Sequence, residues 1–297
     1  MERFVYVLFL FFVNLVRFIP FRVLYIISDG LAFLMRYVVK YRYKVVYGNI
    51  TKVFPQKSEK EKKQIIKKFY KHLTDIMIES VKGFTLSREE IIRRHKFTNP
   101  EMVEHFYDEG ISVIGCSSHF SNWEWGTLSA GLQMRFPLVV LYKPLSNKLI
   151  DNYMHKIRAH NGAEMVSINM TFRVFKKYEE RTTAYMMVSD QNPGNADKAI
   201  WVNFFGIETA FLHGLEQYAV RMRNAVVYVD IRRVKRGFYT MTYRPIASPD
   251  VNYEPGKITT LFAGYLENQI NAGPEQWLWS HRRWKYTREE VEARKKN

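Results

Sequence analysis

The sequence predicts an α/β protein whose central sheet is mostly parallel and is covered by helices on both faces. From residue 111 onwards, short apolar runs rich in β-branched residues alternate with longer segments of helical periodicity. This alternation is typical of βαβ units, whose strands lie parallel. The 297 residues suffice for one large core, and we find no internal repeat or low-complexity linker among them.

The apolar runs and the segments of helical periodicity also give the positions of the individual strands and helices. Strands are predicted at residues 111–116, 138–142, 164–168, 184–188, 225–231 and 238–244. Helices are predicted at residues 122–134, 147–160, 171–180, 211–223 and 256–271. Upstream, Ser58 with Glu61 and Ser87 with Glu90 have the spacing of capping boxes, so each pair is predicted to start a helix, the first ending at Gly83.

The beginning of the chain is predicted to be a membrane anchor or interfacial segment, residues 1–40, followed by one domain at residues 41–297. Residues 4–19 contain only two polar side chains, and Pro20 ends this apolar stretch. A helix needs about twenty apolar residues to cross a bilayer. The stretch is therefore expected either to span with Arg17 snorkelling or to lie in the interface, and a buried core helix is the alternative.

The charge of the chain favours an anionic partner. Lys and Arg number 45 against 29 Asp and Glu, which gives a net charge of +16 and a pI near 9.7. A membrane surface, a nucleic acid and an acidic carrier protein all fit this charge. Residues 33–72 carry 12 Lys and Arg but only two Glu. A basic segment after an apolar anchor indicates the cytoplasmic side and anionic headgroups.

Candidate chemistry lies between residues 111 and 126. An apolar run ends in small and polar residues, His119 follows, and a helical pattern starts at Asn122. Active-site residues of α/β folds commonly follow a strand end in this way. Glu124 comes five residues after His119, and an imidazole beside a carboxylate can act as a general base whose tautomer the carboxylate holds. A purely structural His–Glu hydrogen bond is the alternative.

Other chemistries have less support in the sequence. Cys116 is the single cysteine, so an internal disulfide is excluded, and a packed thiol is favoured over a nucleophile. His119 and Glu124 lack an evident third metal ligand, so no metal site is predicted. The chain contains no Gly-x-Ser-x-Gly elbow, phosphate-binding Gly-x4-Gly-Lys loop or Cys-x2-Cys pair.

Several blocks together resemble a known family. His119-Phe-Ser-Asn-Trp-Glu124 has the His-x4-Asp/Glu form of the glycerolipid and lipid A acyltransferases. Further family-like blocks follow in the same order: Tyr142-Lys143-Pro144, Arg158, Ser189-Asp190-Gln191, Asn203-Phe204-Phe205-Gly206, and the stretch PEQWLWSHRRWK at residues 274–285. From about residue 110 to 285 the chain resembles the lipid A biosynthesis (late, or secondary) acyltransferases, within the lysophospholipid/glycerolipid acyltransferase superfamily.

The resemblance implies a glycerolipid-acyltransferase-like fold and a reaction. A fatty acyl chain would pass from an acyl thioester, usually acyl carrier protein, to a hydroxyl of a phosphorylated lipid A precursor. His119 would be the general base and Glu124 its orienter, without a cofactor or a covalent acyl-enzyme. The implied location is the bacterial inner membrane, with the catalytic domain facing the cytoplasm.

The remaining blocks imply substrate contacts. Arg158 would stabilise the oxyanion or grip a phosphate, and Asp190 and Gln191 would sit at the same sheet edge as His119. Substrate contacts are also implied for Lys143, Arg282 and Arg283. An Asx-turn is the alternative for Asp190, and capping of a packed segment is the alternative for the two arginines.

The sequence departs from the family pattern at two places, and two alternative functions stay open. Lys143 stands where the family carries an arginine, and residues 209–214 read Thr-Ala-Phe-Leu-His-Gly where the family has a Thr-Thr-x-Gly type run. The same chemistry on a lysophospholipid, glycolipid or aminolipid is one alternative function. A basic, non-enzymatic binder of membrane or nucleic acid is the other, although the family blocks favour an enzyme with no nucleic-acid partner.

Overall fold

The computed structural model describes residues 1–296 and contains a seven-stranded sheet in the order β1-β9-β8-β2-β5-β3-β4. Strands β8, β2, β5, β3 and β4 are mutually parallel, whereas β9 is antiparallel to β8 and β1 pairs parallel with β9. The mostly parallel α/β sheet is therefore confirmed. The strands are β1 (His95–Phe97), β2 (Val113–Ser117), β3 (Leu138–Tyr142), β4 (Ala163–Ser167), β5 (Ala184–Val188), β6 (Ile200–Phe204), β7 (Ile207–Phe211), β8 (Ala225–Lys235) and β9 (Phe238–Ala247).

Helices flank this sheet as predicted. They are α1 (Glu2–Phe18), α2 (Phe21–Phe33), α3 (Tyr43–Val53), α4 (Glu59–Gly83), α5 (Arg88–Arg94), α6 (Glu101–Asp108), α7 (Trp123–Gln133), α8 (Lys148–His160), α9 (Thr171–Lys177), α10 (Gly214–Arg221), α11 (Lys257–Ala272) and α12 (Arg288–Lys296). Ser58 caps α4 with the predicted capping box, and the Ser87 side chain caps α5.

Successive side chains along the central strands point to opposite faces of the sheet, so the core consists of two clusters, one on each face. In β2, Ile114 and Cys116 pack into a cluster with α4, α10 and α11, whereas Val113 packs into the opposite cluster with α7. Successive strand side chains point to opposite faces, so a strand covered on both faces is apolar at every position. Burial raises the pKa of the Cys116 thiol, in keeping with a packed rather than reactive cysteine.

The structure differs from the prediction at residues 200–221. Strands β6 and β7 form a separate antiparallel hairpin, and the predicted helix at 211–223 begins only at Gly214. The two residues that join the strands, Phe205 and Gly206, have φ angles of 55° and 74°. Positive φ at both central residues is the requirement of a type I′ hairpin turn, so the Phe-Phe-Gly block is a turn.

The N-terminal helices pack onto α4. Helix α1 has 17 residues and α2 has 13, and Pro20 lies between them. The Nζ of Lys82 on α4 donates to the carbonyls of Val16, Arg17 and Ile19 at 2.9, 2.7 and 3.1 Å. Among residues 1–296 no helix combines the length and the apolar character needed to cross a bilayer, so the spanning form of the predicted N-terminal membrane-anchor helix is not supported.

A close backbone contact joins α7 to the turn before β4, and it provides a test of the packing. A Cβ at Gly131 would lie 2.2 Å from the carbonyl oxygen of Asn161, whereas a Cβ at Gly264 on α11 would meet nothing within 4 Å. We expect Gly131→Ala to lower the free energy of unfolding by about 3 kcal/mol. Gly264→Ala should raise it by up to about 1 kcal/mol. Denaturant unfolding of both variants measures the difference, and equal effects would contradict the packing.

Candidate active site

The histidine and an aspartate meet at the carboxyl edge of the sheet. His119 and Asp190 each stand two residues after the end of a strand, β2 and β5 respectively. These strands are parallel neighbours, and their last residues, Ser117 and Val188, are register partners. The sequence prediction that Asp190 shares the sheet edge with His119 is therefore confirmed.

Asp190 holds the ring of His119. Its Oδ1 lies 2.7 Å from His119 Nδ1, and its Oδ2 accepts the backbone N–H of His119 at 3.0 Å and the indole N–H of Trp277 at 2.8 Å. An ionised Asp190 can only accept, so Nδ1 carries the proton and Nε2 keeps its lone pair. The amide nitrogen of Gln191 lies 3.3 Å from Nε2 and donates to this lone pair.

Both groups of this pair have shifted pKa values. Burial alone would lower the pKa of His119, but the charge and hydrogen bond of Asp190, with the charge of Glu124, raise it above 6.5. Burial would likewise raise the pKa of Asp190, yet His119 and the hydrogen bond from Trp277 hold it below its usual range. The aspartate is thus ionised, and it favours the imidazolium that proton abstraction would create.

Glu124 is not the carboxylate that orients His119, which corrects the sequence prediction. It lies in the first turn of α7, where its Oε2 accepts from Nη2 of Arg158 at 2.6 Å and its Oε1 accepts from the indole of Trp123 at 3.2 Å. The helix directs the side chain towards α8, away from direct contact with the ring nitrogens. Its charge nevertheless acts on the imidazole, as the pKa of His119 shows.

The loop between His119 and α7 has a constrained backbone. Ser121 is buried and has a φ of 56°, a left-handed conformation that costs a non-glycine residue about 1 kcal/mol. Asn122 then caps α7, because its Oδ1 accepts the backbone N–H of Trp125 at 2.9 Å. The cap thus fixes the start of α7 three residues after His119.

Residues 274–284, here called the closing segment, cover this loop. The carbonyl of Gln276 accepts the N–H of Ser121 at 2.9 Å, and the N–H of Leu278 donates to the carbonyl of His119 at 3.1 Å. On its other side, Nδ2 of Asn49 on α3 donates to the carbonyls of Trp279 and His281, both at 2.8 Å. The family-like C-terminal block thus supports the candidate base through its backbone and through Trp277.

The predicted substrate residues divide into two groups. Lys143 and Arg282 are exposed, Gln191 lies beside the histidine, and Arg158 is hydrogen-bonded to Glu124. Arg283 is only 2% exposed: its Nη1 donates to the carbonyl of Ala210 at 2.7 Å and its guanidinium lies 4.1 Å from the Phe211 ring centroid. Burial lowers its pKa to about 9. Arg283 thus packs inside the protein, as the alternative to a phosphate contact expected.

A cavity of about 430 Å³ is lined in part by Gln191, whose amide nitrogen contacts the ring of His119. Most of its lining is apolar, although Arg42 also lines it. The other lining residues include Met35, Leu73, Met77, Leu278 and His281. Within residues 1–296, no cluster of three or more His, Cys, Asp or Glu side chains could hold a metal ion.

Comparison with known proteins supplies the context for this geometry. The model of the bacterial lipid A biosynthesis acyltransferase family matches residues 1–286. A lipid A biosynthesis acyltransferase of Haemophilus influenzae is 24% identical over 275 residues, which cover 91% of this chain and 84% of the relative. The lipid A biosynthesis lauroyltransferase of Escherichia coli is 26% identical over 288 residues, which cover 93% and 90%. The palmitoleoyltransferase of the same organism is 22% identical over 276 residues, which cover 90% and 86%. The chain, matched over nearly its whole length, therefore belongs to the bacterial lipid A biosynthesis acyltransferase family and is an acyltransferase.

Proposed function

We propose that this enzyme transfers a fatty acyl chain from an acyl thioester, with acyl carrier protein as donor, to a hydroxyl of a lipid A precursor. The observation that carries the proposal is the hydrogen bond between Nδ1 of His119 and the buried Asp190, which leaves Nε2 as the basic nitrogen of a partly exposed side chain. The names of the relatives from Haemophilus and Escherichia support the acceptor. The net charge of +16 suits both an acidic carrier and a phosphorylated glycolipid.

In the proposed reaction, Nε2 of His119 takes the proton of the acceptor hydroxyl as its oxygen attacks the thioester carbonyl carbon. Asp190 stabilises the imidazolium that results. The negative oxygen of the tetrahedral intermediate faces the first N–H groups of α7 or the guanidinium of Arg158. When the carbon–sulfur bond breaks, the imidazolium returns the proton to the leaving thiolate, and an ester and a thiol are released.

Substrate binding is proposed for the polar residues around this centre. Arg158 is fixed by Glu124 and has donors left for a phosphate or for the oxyanion. Gln191 contacts the base directly, and the exposed Lys143 and Arg282 are placed to meet an anionic partner. The cavity beside Gln191 has the apolar lining that a fatty acyl chain requires.

Residues 1–40 are proposed to lie on the cytoplasmic face of the bacterial inner membrane, while residues 41–297 carry the chemistry. The support is a large exposed apolar surface: Phe4 and Phe18 are 72% and 79% exposed. Arginines interrupt the surface at positions 3, 17, 22 and 36. Exposed apolar side chains beside cationic ones suit the boundary between acyl chains and anionic headgroups. Other exposed apolar side chains of this surface are Val7, Phe11, Ile26, Phe33 and Val38.

Mass spectrometry of the lipid product tests the proposal. Purified protein would receive acyl carrier protein loaded with a long acyl chain, together with a lipid A precursor, a lysophospholipid, a glycolipid or an aminolipid. We expect a new ester on the lipid A precursor, and reactions without the acceptor serve as the control. Transfer to a lysolipid alone would keep the chemistry but overturn the acceptor. No transfer to any acceptor by folded protein would contradict the proposed reaction.

A further inference from the structure

A buried carboxylate on α4 lies beneath the loop that carries the candidate base. Glu79 has no solvent exposure, and its two oxygens accept from three side chains on three different elements. Its Oε2 accepts from the Asn122 amide at 2.7 Å and from the Tyr239 hydroxyl at 2.6 Å. Its Oε1 accepts from the hydroxyl of Tyr25 at 2.8 Å. No step of the proposed reaction uses this carboxylate.

The bond to Asn122 fixes which way that amide faces. The Nδ2 of Asn122 donates to Glu79, so its Oδ1 must face the backbone N–H of Trp125 and cap α7. A rotated amide would set its oxygen against the carboxylate and its NH₂ group against the backbone N–H. Both contacts would then be repulsive. Glu79 therefore selects the only orientation of Asn122 in which the cap exists.

The cap made by Asn122 in turn fixes the position of the end of the loop that carries His119. Only Phe120 and Ser121 separate His119 from Asn122, and Ser121 already has a strained backbone. A shift at the start of α7 is consequently transmitted to both His119 and the N–H groups that would face the oxyanion. A displacement of about 1 Å at a reacting group can cost about 10²-fold in rate.

We propose that Glu79 is a positioning residue for acyl transfer: it acts through Asn122 to fix the loop at residues 119–122 and thereby places His119. The proposal rests on the role given to His119 above. Tyr25 belongs to α2, in the segment proposed to lie on the membrane, and it shares the same carboxylate. The loop that carries the base is thus joined to the interfacial helices by two hydrogen bonds.

An exchange of donor and acceptor tests the proposal. Asn122→Asp would place two carboxyl groups at a distance of 2.7 Å. Above the pH at which their shared proton is lost, we expect kcat to fall about 10²-fold with little change in KM. In the double variant Glu79→Gln/Asn122→Asp, the new amide at position 79 donates to the new carboxylate at position 122, whose other oxygen still caps α7. One carboxyl group remains in the pair, as in the natural protein. We expect the double variant to recover most of the lost kcat.

Glu216 provides a matched control for the loss of stability. It is a buried carboxylate that accepts the backbone N–H groups of Gly256 and Thr259 at the start of α11, on a different element from the His119 loop. We expect Glu216→Gln to lower the melting temperature while kcat of the folded protein stays unchanged. For Asn122→Asp the positioning role predicts the opposite pattern: kcat should fall by a larger factor than the fraction of folded protein.

Two outcomes would overturn the inference. One is a double variant as slow as Asn122→Asp; the other is a loss of kcat that simply follows the unfolded fraction, as in Glu216→Gln. His119→Ala, measured in the same assay, separates this failure from that of the proposed function. If His119→Ala remains active, the role of the histidine fails. If it is inactive and the exchange does not restore activity, only the positioning role of Glu79 fails.

Discussion

Replacement of His119 by alanine should lower kcat for acyl transfer by about 10²–10⁴-fold, the usual contribution of a positioned general base. The acceptor hydroxyl then has no nearby group to take its proton. Binding should change little, because the cavity and Arg158 stay in place. The measurement is the initial rate of ester formation from acyl carrier protein, with thermal unfolding recorded for the same preparation.

The pH dependence of the natural enzyme provides the control for this prediction. The base must be neutral, and the pKa of His119 is raised above 6.5. We therefore expect kcat/KM to increase with pH through an apparent pKa above 6.5, and this limb should vanish from the residual activity of His119→Ala. An alanine variant with a normal rate, or an unchanged limb in its profile, would refute the assignment.

Asp190→Asn should lower kcat by about 10³-fold, because the asparagine forces the wrong tautomer on His119. Two N–H donors, from the His119 backbone and from Trp277, converge on Oδ2. Neither can become an acceptor, so the amide oxygen must occupy that position. The NH₂ group then faces Nδ1 of His119, the ring proton moves to Nε2, and the basic lone pair is lost.

Nitrogen NMR of the imidazole reads the tautomer directly, and Glu124→Gln is the matched control. Glutamine at position 124 alters the partner of Arg158 but leaves the contacts of Nδ1 unchanged. In Asp190→Asn we expect the proton on Nε2 and a lower pKa of His119, since the main cause that raises this pKa is removed. A tautomer switch in Glu124→Gln, with none in Asp190→Asn, would restore the orienting role to Glu124.

The site can be predicted from the sequence where it depends on sheet topology. Asp190 is expected beside His119 because parallel strands end at the same edge, although the two residues are 71 positions apart. Glu124 is only five positions from His119, yet the first turn of α7 carries its side chain to Arg158. Proximity in sequence therefore suggests Glu124 as the partner of His119, whereas the direction of the Glu124 side chain on its helix prevents that contact.

Burial of charged groups is the part that the sequence does not reveal. Arg283 follows Arg282 in a basic run, and one is buried against Phe211 while the other is exposed. Tryptophans beside arginines are typical of a bilayer interface, although Trp277 and Trp279 are in the core. The hairpin of β6 and β7 does carry a signal, since two short runs with apolar and β-branched residues stand on either side of the two-residue link Phe205-Gly206.

The closing segment sets an order of assembly during synthesis of the chain. Gln276, Trp277 and Leu278 leave the ribosome long after His119 and Asp190, yet they supply contacts that fix both groups. Until they arrive, the nascent enzyme has a base whose loop is open and an aspartate that lacks one of its donors. Translation of the last family-like block therefore completes the hydrogen bonds that surround the candidate base.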